Sequence, residues 1–122
     1  MQTELVGRMD EWRELKMTLK ALGDMARLAI VYHLAHAQEV TVTDLADLLG
    51  ISQPLVSWHL RKLRRAGIIS TRRAGRQSYC SLNIHSIHHG MQLLERLIDP
   101  AFAPETYPVG TALLEAEIGL EE

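Results

Sequence analysis

Apolar residues return every three or four positions along most of the chain, which is the spacing of amphipathic helices. The first stripe predicts a helix over residues 5–22 that ends at Gly23, a residue suited to a helix C-terminus. Its apolar members are Leu5, Met9, Trp12, Leu15 and Leu19. A stripe of this length needs another surface to cover it.

A second helix is predicted to begin after Asp24, whose carboxylate suits an N-cap, and to close near His36. The positions expected to be buried are Leu28, Ile30, Val31 and Leu34. His33 and His36 lie three residues apart on one face, and we interpret them as packing or surface residues rather than metal ligands.

Two further helices are predicted on either side of a tight turn. Thr41 or Thr43 is expected to cap the first of them, which ends at Gly50. Ser52 is expected to cap the second, with Pro54 in the first turn, where a missing N–H costs nothing.

The fourth helix is expected to run to Gly67, after which apolar and polar residues alternate with the period of two that is typical of strands. Residues 68–74 and 77–83 are therefore predicted to be two strands joined by a turn at Gly75. This hairpin would form a wing beside the preceding helices.

A fifth helix is predicted over residues 84–98 and is stopped by Asp99-Pro100. The sequence is loop-like through Pro108, and residues 111–122 have the pattern of one short acidic helix. The predicted fold class is mainly α, with about five helices and a small antiparallel β-hairpin as a two-stranded wing.

The third and fourth helices have the steric features of a helix-turn-helix over residues 42–63. Ala46 is small where the two helices would cross, and Gly50 can adopt the positive φ of the turn. The apolar positions that would pack both helices onto a core are Leu45, Leu49, Ile51, Val56, Leu60 and Leu63. Together with the hairpin, this pattern predicts a winged helix-turn-helix.

The fourth helix has a polar face that is unusual in containing a tryptophan. The residues that point away from its apolar stripe are Pro54, Trp58, Arg61, Lys62 and Arg65. Trp58 would suit a groove wall or a thymine methyl of DNA, or it lies against a neighbouring surface of the protein. Gln53 and Ser57 are short polar groups suited to base edges or phosphates. His59, on the flank of the stripe, touches phosphate or satisfies a hydrogen bond in the core.

The formal net charge of −2 hides a strong separation of charge along the chain. No Asp or Glu occurs from Leu48 to Leu94, and after Asp99 every charged residue is acidic. The basic residues inside the first of these stretches are Arg61, Lys62, Arg64, Arg65, Arg72, Arg73 and Arg76. Such clustering is typical of phosphate binding, and the alternative is a solvated basic surface.

Composition and motifs exclude several classes of protein. No apolar run approaches the roughly 20 residues of a membrane span, and the first residues are too polar for a signal peptide, so we expect a cytoplasmic protein without membrane contact. The single cysteine, Cys80, excludes a disulfide or a cysteine-pair zinc site within one chain. No catalytic triad, phosphate-binding glycine loop or carboxylate pair stands out, so neither an enzyme nor a cofactor is expected.

Residues 18–85 resemble the ArsR/SmtB family of bacterial winged-helix repressors, most specifically in SQPLVSWHLRKLRRAG and the GR-tipped wing. The resemblance implies a homodimer joined by the first and last helices, with each fourth helix in a major groove and each wing near a minor groove. Residues 1–98 would then bind DNA and dimerise, and residues 99–122 would form an acidic tail. The expected function is sequence-specific binding to an inverted-repeat operator, with release by an unknown signal.

The resemblance also carries over individual residues by matched position. It implies DNA contacts for Gln53, Ser57 and His59 and wing contacts for Arg73 and Arg76. With the outward face of the fourth helix, the expected DNA-binding set is Gln53, Pro54, Ser57, Trp58, His59, Arg61, Lys62, Arg73 and Arg76.

The sequence departs from the metal-binding patterns of the family. Thr41 and Thr43 stand where arsenic-type members place thiolates. The positions that correspond to the zinc ligands of other members are occupied by Asn83, His85, Arg96 and Asp99. Of these only His85 and Asp99 are able to bind a metal, and Arg96 would oppose it.

Three histidines on the predicted fifth helix leave a second interpretation open. His85 shares a face with both His88 and His89, and such a pair can chelate zinc, act as a charge switch at a dimer interface, or be structural. The alternative functions are therefore a zinc-type repressor that uses this cluster, and a winged helix used only for protein contacts.

Overall fold

The computed structural model describes residues 2–102 and 114–115, without the side chains of residues 2–8 and of Phe102. The helices of the described part are α1 (Gln2–Leu22), α2 (Met25–Ala35), α3 (Val42–Leu49), α4 (Gln53–Arg65) and α5 (Ile84–Ile98). Its strands are β1 (Val40–Thr41), β2 (Ile69–Ala74) and β3 (Gln77–Leu82). All five predicted helices are confirmed, although α1 begins three residues earlier than expected.

The chain beyond α5 tests little of the prediction for the tail. A short 3-10 helix at Pro100–Phe102 replaces the start of the predicted loop. Most of the predicted acidic helix at 111–122 lies outside the described residues, as does the loop from residue 103 to Pro108. None of the described helices combines the length and hydropathy that a membrane span requires.

The predicted helix caps are present. The Asp24 carboxylate accepts hydrogen bonds from the backbone N–H groups of Ala26 and Arg27, at 2.9 and 3.2 Å. Thr41, not Thr43, caps α3, and Ser52 caps α4. Each cap satisfies a donor that the first turn of a helix would otherwise leave unpaired.

The wing belongs to a three-stranded antiparallel sheet with the order β1-β3-β2. Thr71 of β2 and Val40 of β1 lie opposite the same buried residue of β3, Cys80. The turn between β2 and β3 contains Gly75 with φ of 62°. Strand β1 was not predicted, because two residues are too few to show an alternating pattern.

The core lies between α2, α3, α4 and the sheet, with the end of α1 packed against it. Its buried residues are Ala21, Ile30, Leu34, Val40, Leu45, Ala46, Val56, Leu60, Leu63, Ile68, Ile69 and Cys80. The prediction that Leu28 is buried is wrong, since its side chain is 48% exposed. Two residues along a helix turn the side chain by about 200°, so Leu28 points away from the face that buries Ile30.

Helices α1 and α5 pack against each other within one protomer. Gly90 of α5 comes so close to α1 that a Cβ there would lie 3.0 Å from Cγ2 of Thr18. Leu15 and Leu93 are each only 5% exposed, so these two residues are buried within the protomer. Trp12 is half-buried. Leu19, Leu94 and Leu97 do remain exposed.

Candidate nucleic-acid interface

Helix α4 separates its residues into a buried and an exposed face. Val56, Leu60 and Leu63 are buried in the core and fix the helix against α3 and the sheet. The exposed residues on the opposite face include Gln53, Pro54, Ser57, Trp58, Arg61 and Arg65, and Lys62 is partly buried at its edge. The structure therefore brings together on one face the α4 residues predicted to contact DNA, apart from His59.

Trp58 is neither fully exposed nor packed in the core. Its side chain is 45% exposed, the Lys62 ammonium nitrogen lies 4.5 Å from the centre of the ring, and the His59 ring meets it edge-on at 5.0 Å. The indole thus points outward with one side against its neighbours, and this geometry is compatible with either interpretation of the residue. A cation over an aromatic face is held by electrostatic attraction, so Lys62 and Trp58 form one unit.

His59 lies in the interior, which is the second of the two alternatives considered for it. It is 6% exposed, and its Nδ1 lies 3.1 Å from an Nη1 of Arg27. On α4, His59 follows the buried stripe and turns towards α2, so it has almost no surface to offer a phosphate. We therefore leave it out of the set of DNA contacts.

The arginines of the wing fall into two groups. Arg73 and Arg76 are exposed near the tip of the hairpin. Arg72 instead forms a bidentate ion pair with Glu39, at 2.7 and 2.9 Å, and lies 4.5 Å from the centre of the Tyr79 ring. Hydrogen bonds from Arg72 hold the pKa of the Glu39 carboxyl below its usual value. The basic charge of Arg72 is therefore already neutralised within the protein.

Asn83 ties the base of the wing to the start of α5, a role that the sequence did not reveal. Its side-chain amide donates a hydrogen bond to the Gly67 carbonyl at 3.0 Å and accepts one from the Ser70 hydroxyl at 2.9 Å. These contacts hold the end of β3 against the start of β2 and against Gly67 in the link between α4 and β2. Neither partner lies within one helical turn of Asn83, so no local sequence pattern could have identified them.

The predicted metal-binding candidates are spread along the exposed side of α5. His85, His88 and His89 are exposed, and His89 Nε2 lies 3.3 Å from a carboxylate oxygen of Glu14 on α1. Among the described residues, no three His, Cys, Asp or Glu side chains are grouped closely enough to hold a metal ion. Burial raises the pKa of the Cys80 thiol to about 11, so this residue is a poor thiolate at neutral pH.

Comparison with known proteins identifies the family. Residues 24–71 match the family model described as bacterial regulatory protein, arsR family. The chain is 41% identical over 71 residues to the HTH-type transcriptional repressor SmtB of Mycobacterium tuberculosis, covering 58% of this chain and 52% of that protein. It is 33% identical over 76 residues to the arsenical resistance operon repressor of Bacillus subtilis, covering 62% of this chain and 72% of that protein. The chain thus spans about half the length of the first of these relatives.

Solved structures show the same architecture. NolR from Sinorhizobium fredii superimposes with a TM-score of 0.59 at 31% sequence identity, covering 73% of this chain and 88% of that one. The predicted winged helix-turn-helix and the resemblance drawn from its motifs are both confirmed. The chain belongs to the arsR family of bacterial regulatory proteins.

Proposed function

We propose that this protein is a transcriptional repressor that binds a specific double-stranded DNA site as a homodimer. The observation that carries the proposal is the exposed face of α4, where short polar side chains, an aromatic ring and cations lie side by side without any acidic residue. Relatives that match the same part of the chain are named as repressors, which supports the same function. This function would place the protein in the cytoplasm with its DNA.

The α4 face has the chemistry for reading a major groove. Gln53 and Ser57 lie in the first turns, where the side chains of a recognition helix reach base edges. Trp58 offers an apolar edge to a thymine methyl or to sugar. Arg61 and Lys62 follow on the same face and supply positive charge for the phosphates that border the groove.

Arg73 and Arg76 would supply the wing's contacts with DNA. They are exposed on a hairpin that pairing with β1 and Asn83 fixes to the body of the protein. Arginines in this position neutralise phosphates or enter a minor groove, and they add affinity with little reading of sequence.

The apolar surface of α1 and α5 supports a homodimer. Leu19, Leu94 and Leu97 are between 38% and 47% exposed, and Met91 and Ile98 of α5 are 55% and 74% exposed. Pairing these surfaces about a two-fold axis would remove them from water. The operator would then be an inverted repeat with half-sites about one helical turn, roughly 34 Å, apart. Sedimentation at micromolar concentration would give a dimeric mass.

Substitutions on α4 test the proposal. Ser57→Ala and Trp58→Ala should each weaken binding to a duplex selected by the wild-type protein by about 1–3 kcal/mol, with a much smaller effect on random duplex DNA. Gln38→Ala replaces an exposed polar residue away from α4 and serves as the control. Wild-type affinity in both α4 variants would show that this face does not read DNA. Binding to protein partners without any affinity for DNA would favour the alternative of a winged helix used for protein contacts.

A further inference from the structure

A buried polar pair connects the recognition helix α4 to the junction between α1 and α2. Arg27 of α2 and His59 of α4 are 8% and 6% exposed, and their side chains are hydrogen-bonded at 3.1 Å. The Nε of Arg27 donates a second hydrogen bond to the carbonyl of Ala21, in the last turn of α1, at 2.6 Å. A single guanidinium therefore bridges the end of α1 and the middle of α4.

The hydrogen bond of the pair requires one particular form of the histidine. A guanidinium only donates hydrogen bonds, so the hydrogen bond between Arg27 and His59 requires Nδ1 of His59 to accept, which only the neutral ring with its proton on Nε2 can do. A carboxylate oxygen of Asp24 lies 3.9 Å from the same Nδ1. The charged groups that face the ring are thus Arg27 of α2 and Asp24, the residue that caps α2, while α1 contributes the carbonyl that binds Arg27.

We propose that Arg27 and neutral His59 are positioning residues that hold Trp58 in its DNA-binding orientation, and that protonation of His59 breaks this connection. A protonated ring loses its acceptor and places its charge against Arg27, and Asp24 becomes its nearest available partner. Because the His59 ring packs edge-on against Trp58, the change is transmitted to the exposed face of α4. The inference rests on the proposed function.

The direction of the pH effect on DNA affinity distinguishes His59 from a surface histidine that contacts DNA. A histidine that faces DNA strengthens binding when it becomes charged, because it is attracted to phosphate. Protonation of His59 instead disrupts a buried hydrogen bond to a charged group, which weakens the docking of α4. The protein should therefore lose affinity for its DNA under mildly acidic conditions.

The experiment measures the affinity of the full chain for a rhodamine-labelled duplex that carries the site selected by the wild-type protein from a random pool. Titrations are made at about pH 8 and about pH 5.5, a range in which histidine changes its charge, at constant ionic strength. The wild type should bind about fivefold or more weakly at the lower pH. His59→Asn places an amide oxygen near the position of Nδ1 and does not titrate, so its affinity should be nearly independent of pH.

Two further variants complete the test. His36→Asn removes an exposed histidine outside the connection and should keep the pH dependence of the wild type. Arg27→Met should lower the affinity for the selected duplex at pH 8. Its effect should be non-additive with that of Trp58→Ala, because Arg27 is proposed to act on DNA binding through the position of the Trp58 ring. If Arg27→Met does not fold, as judged by circular dichroism, the pH profile of His59→Asn decides alone.

The outcomes that overturn the inference differ from those that overturn the proposed function. An unchanged pH dependence in His59→Asn, or tighter binding of the wild type at low pH, would show that His59 does not position Trp58. Failure of the wild type to bind any duplex at either pH would contradict the proposed function itself.

Discussion

The two arginines near the tip of the wing should account for its share of the salt dependence of DNA binding, whereas their neighbour Arg72 should contribute nothing. Each phosphate that a protein neutralises adds about 0.9 to the slope of log K against log salt concentration. Replacing Arg73 and Arg76 by alanine should therefore flatten the slope by about 1–2 units per protomer, or about 2–4 units for a dimer.

Arg72 offers a matched control on the same strand. Its guanidinium already makes two hydrogen bonds to the carboxylate of Glu39. The double variant Glu39→Gln/Arg72→Gln removes one negative and one positive charge, so the net charge of the protein does not change. The slope should remain that of the wild type, because no phosphate contact is lost.

The assay is equilibrium binding to a selected duplex at several salt concentrations between about 50 and 200 mM, a range over which phosphate contacts change affinity strongly. An unchanged slope in Arg73→Ala/Arg76→Ala would place the wing away from DNA. A slope that flattens equally in the Glu39→Gln/Arg72→Gln variant would show that the ion pair opens and that Arg72 reaches a phosphate.

Three further predictions concern packing, pH and inducers. Gly90→Ala gains about 1 kcal/mol of helix propensity but costs about 1–3 kcal/mol through steric overlap with the Thr18 side chain. The substitution should therefore lower the midpoint of unfolding by urea. In a Thr18→Ser background, which lacks the overlapping methyl group, the same substitution should raise that midpoint. Since Arg72 lowers the pKa of Glu39, the stability from this pair is present at neutral pH and is lost as the pH falls through that lowered value, so Glu39→Gln should destabilise at about pH 7 and progressively less as the pH is lowered into the acidic range. Micromolar arsenite or zinc should not release the operator in a binding assay. Any zinc response should vanish in His85→Ala, and release by arsenite would contradict the expectation that Thr41 and Thr43 cannot replace thiolate ligands.

The sequence was sufficient to predict the elements whose causes are local. Periodicity defined the helices, and side chains such as Asp24 and Ser52 marked their first turns, because a cap acts on N–H groups only two or three residues away. The polar face of α4 followed from the same periodicity. These features depend on neighbours along the chain and therefore appear in the order of residues.

Features that depend on contacts between distant parts of the chain could not be predicted. Glu39 lies 33 residues before Arg72, so the sequence around the wing contains no acidic residue that could be recognised as a partner of its arginines. The flank position of His59 on α4 allowed either exposure or burial, and only the packing of α2 against α4 decided between them. The close approach of Gly90 to Thr18 likewise follows from how α1 and α5 cross.

The most direct test of the proposed function is a titration of the wild-type chain with a random duplex and with the duplex it selects from a random pool, each at two salt concentrations. The proposal predicts binding to both, weaker at the higher salt concentration, with the selected duplex bound at least about 1,000-fold more tightly. Absence of salt-dependent binding to either duplex would contradict the assignment of α4 and the wing to DNA.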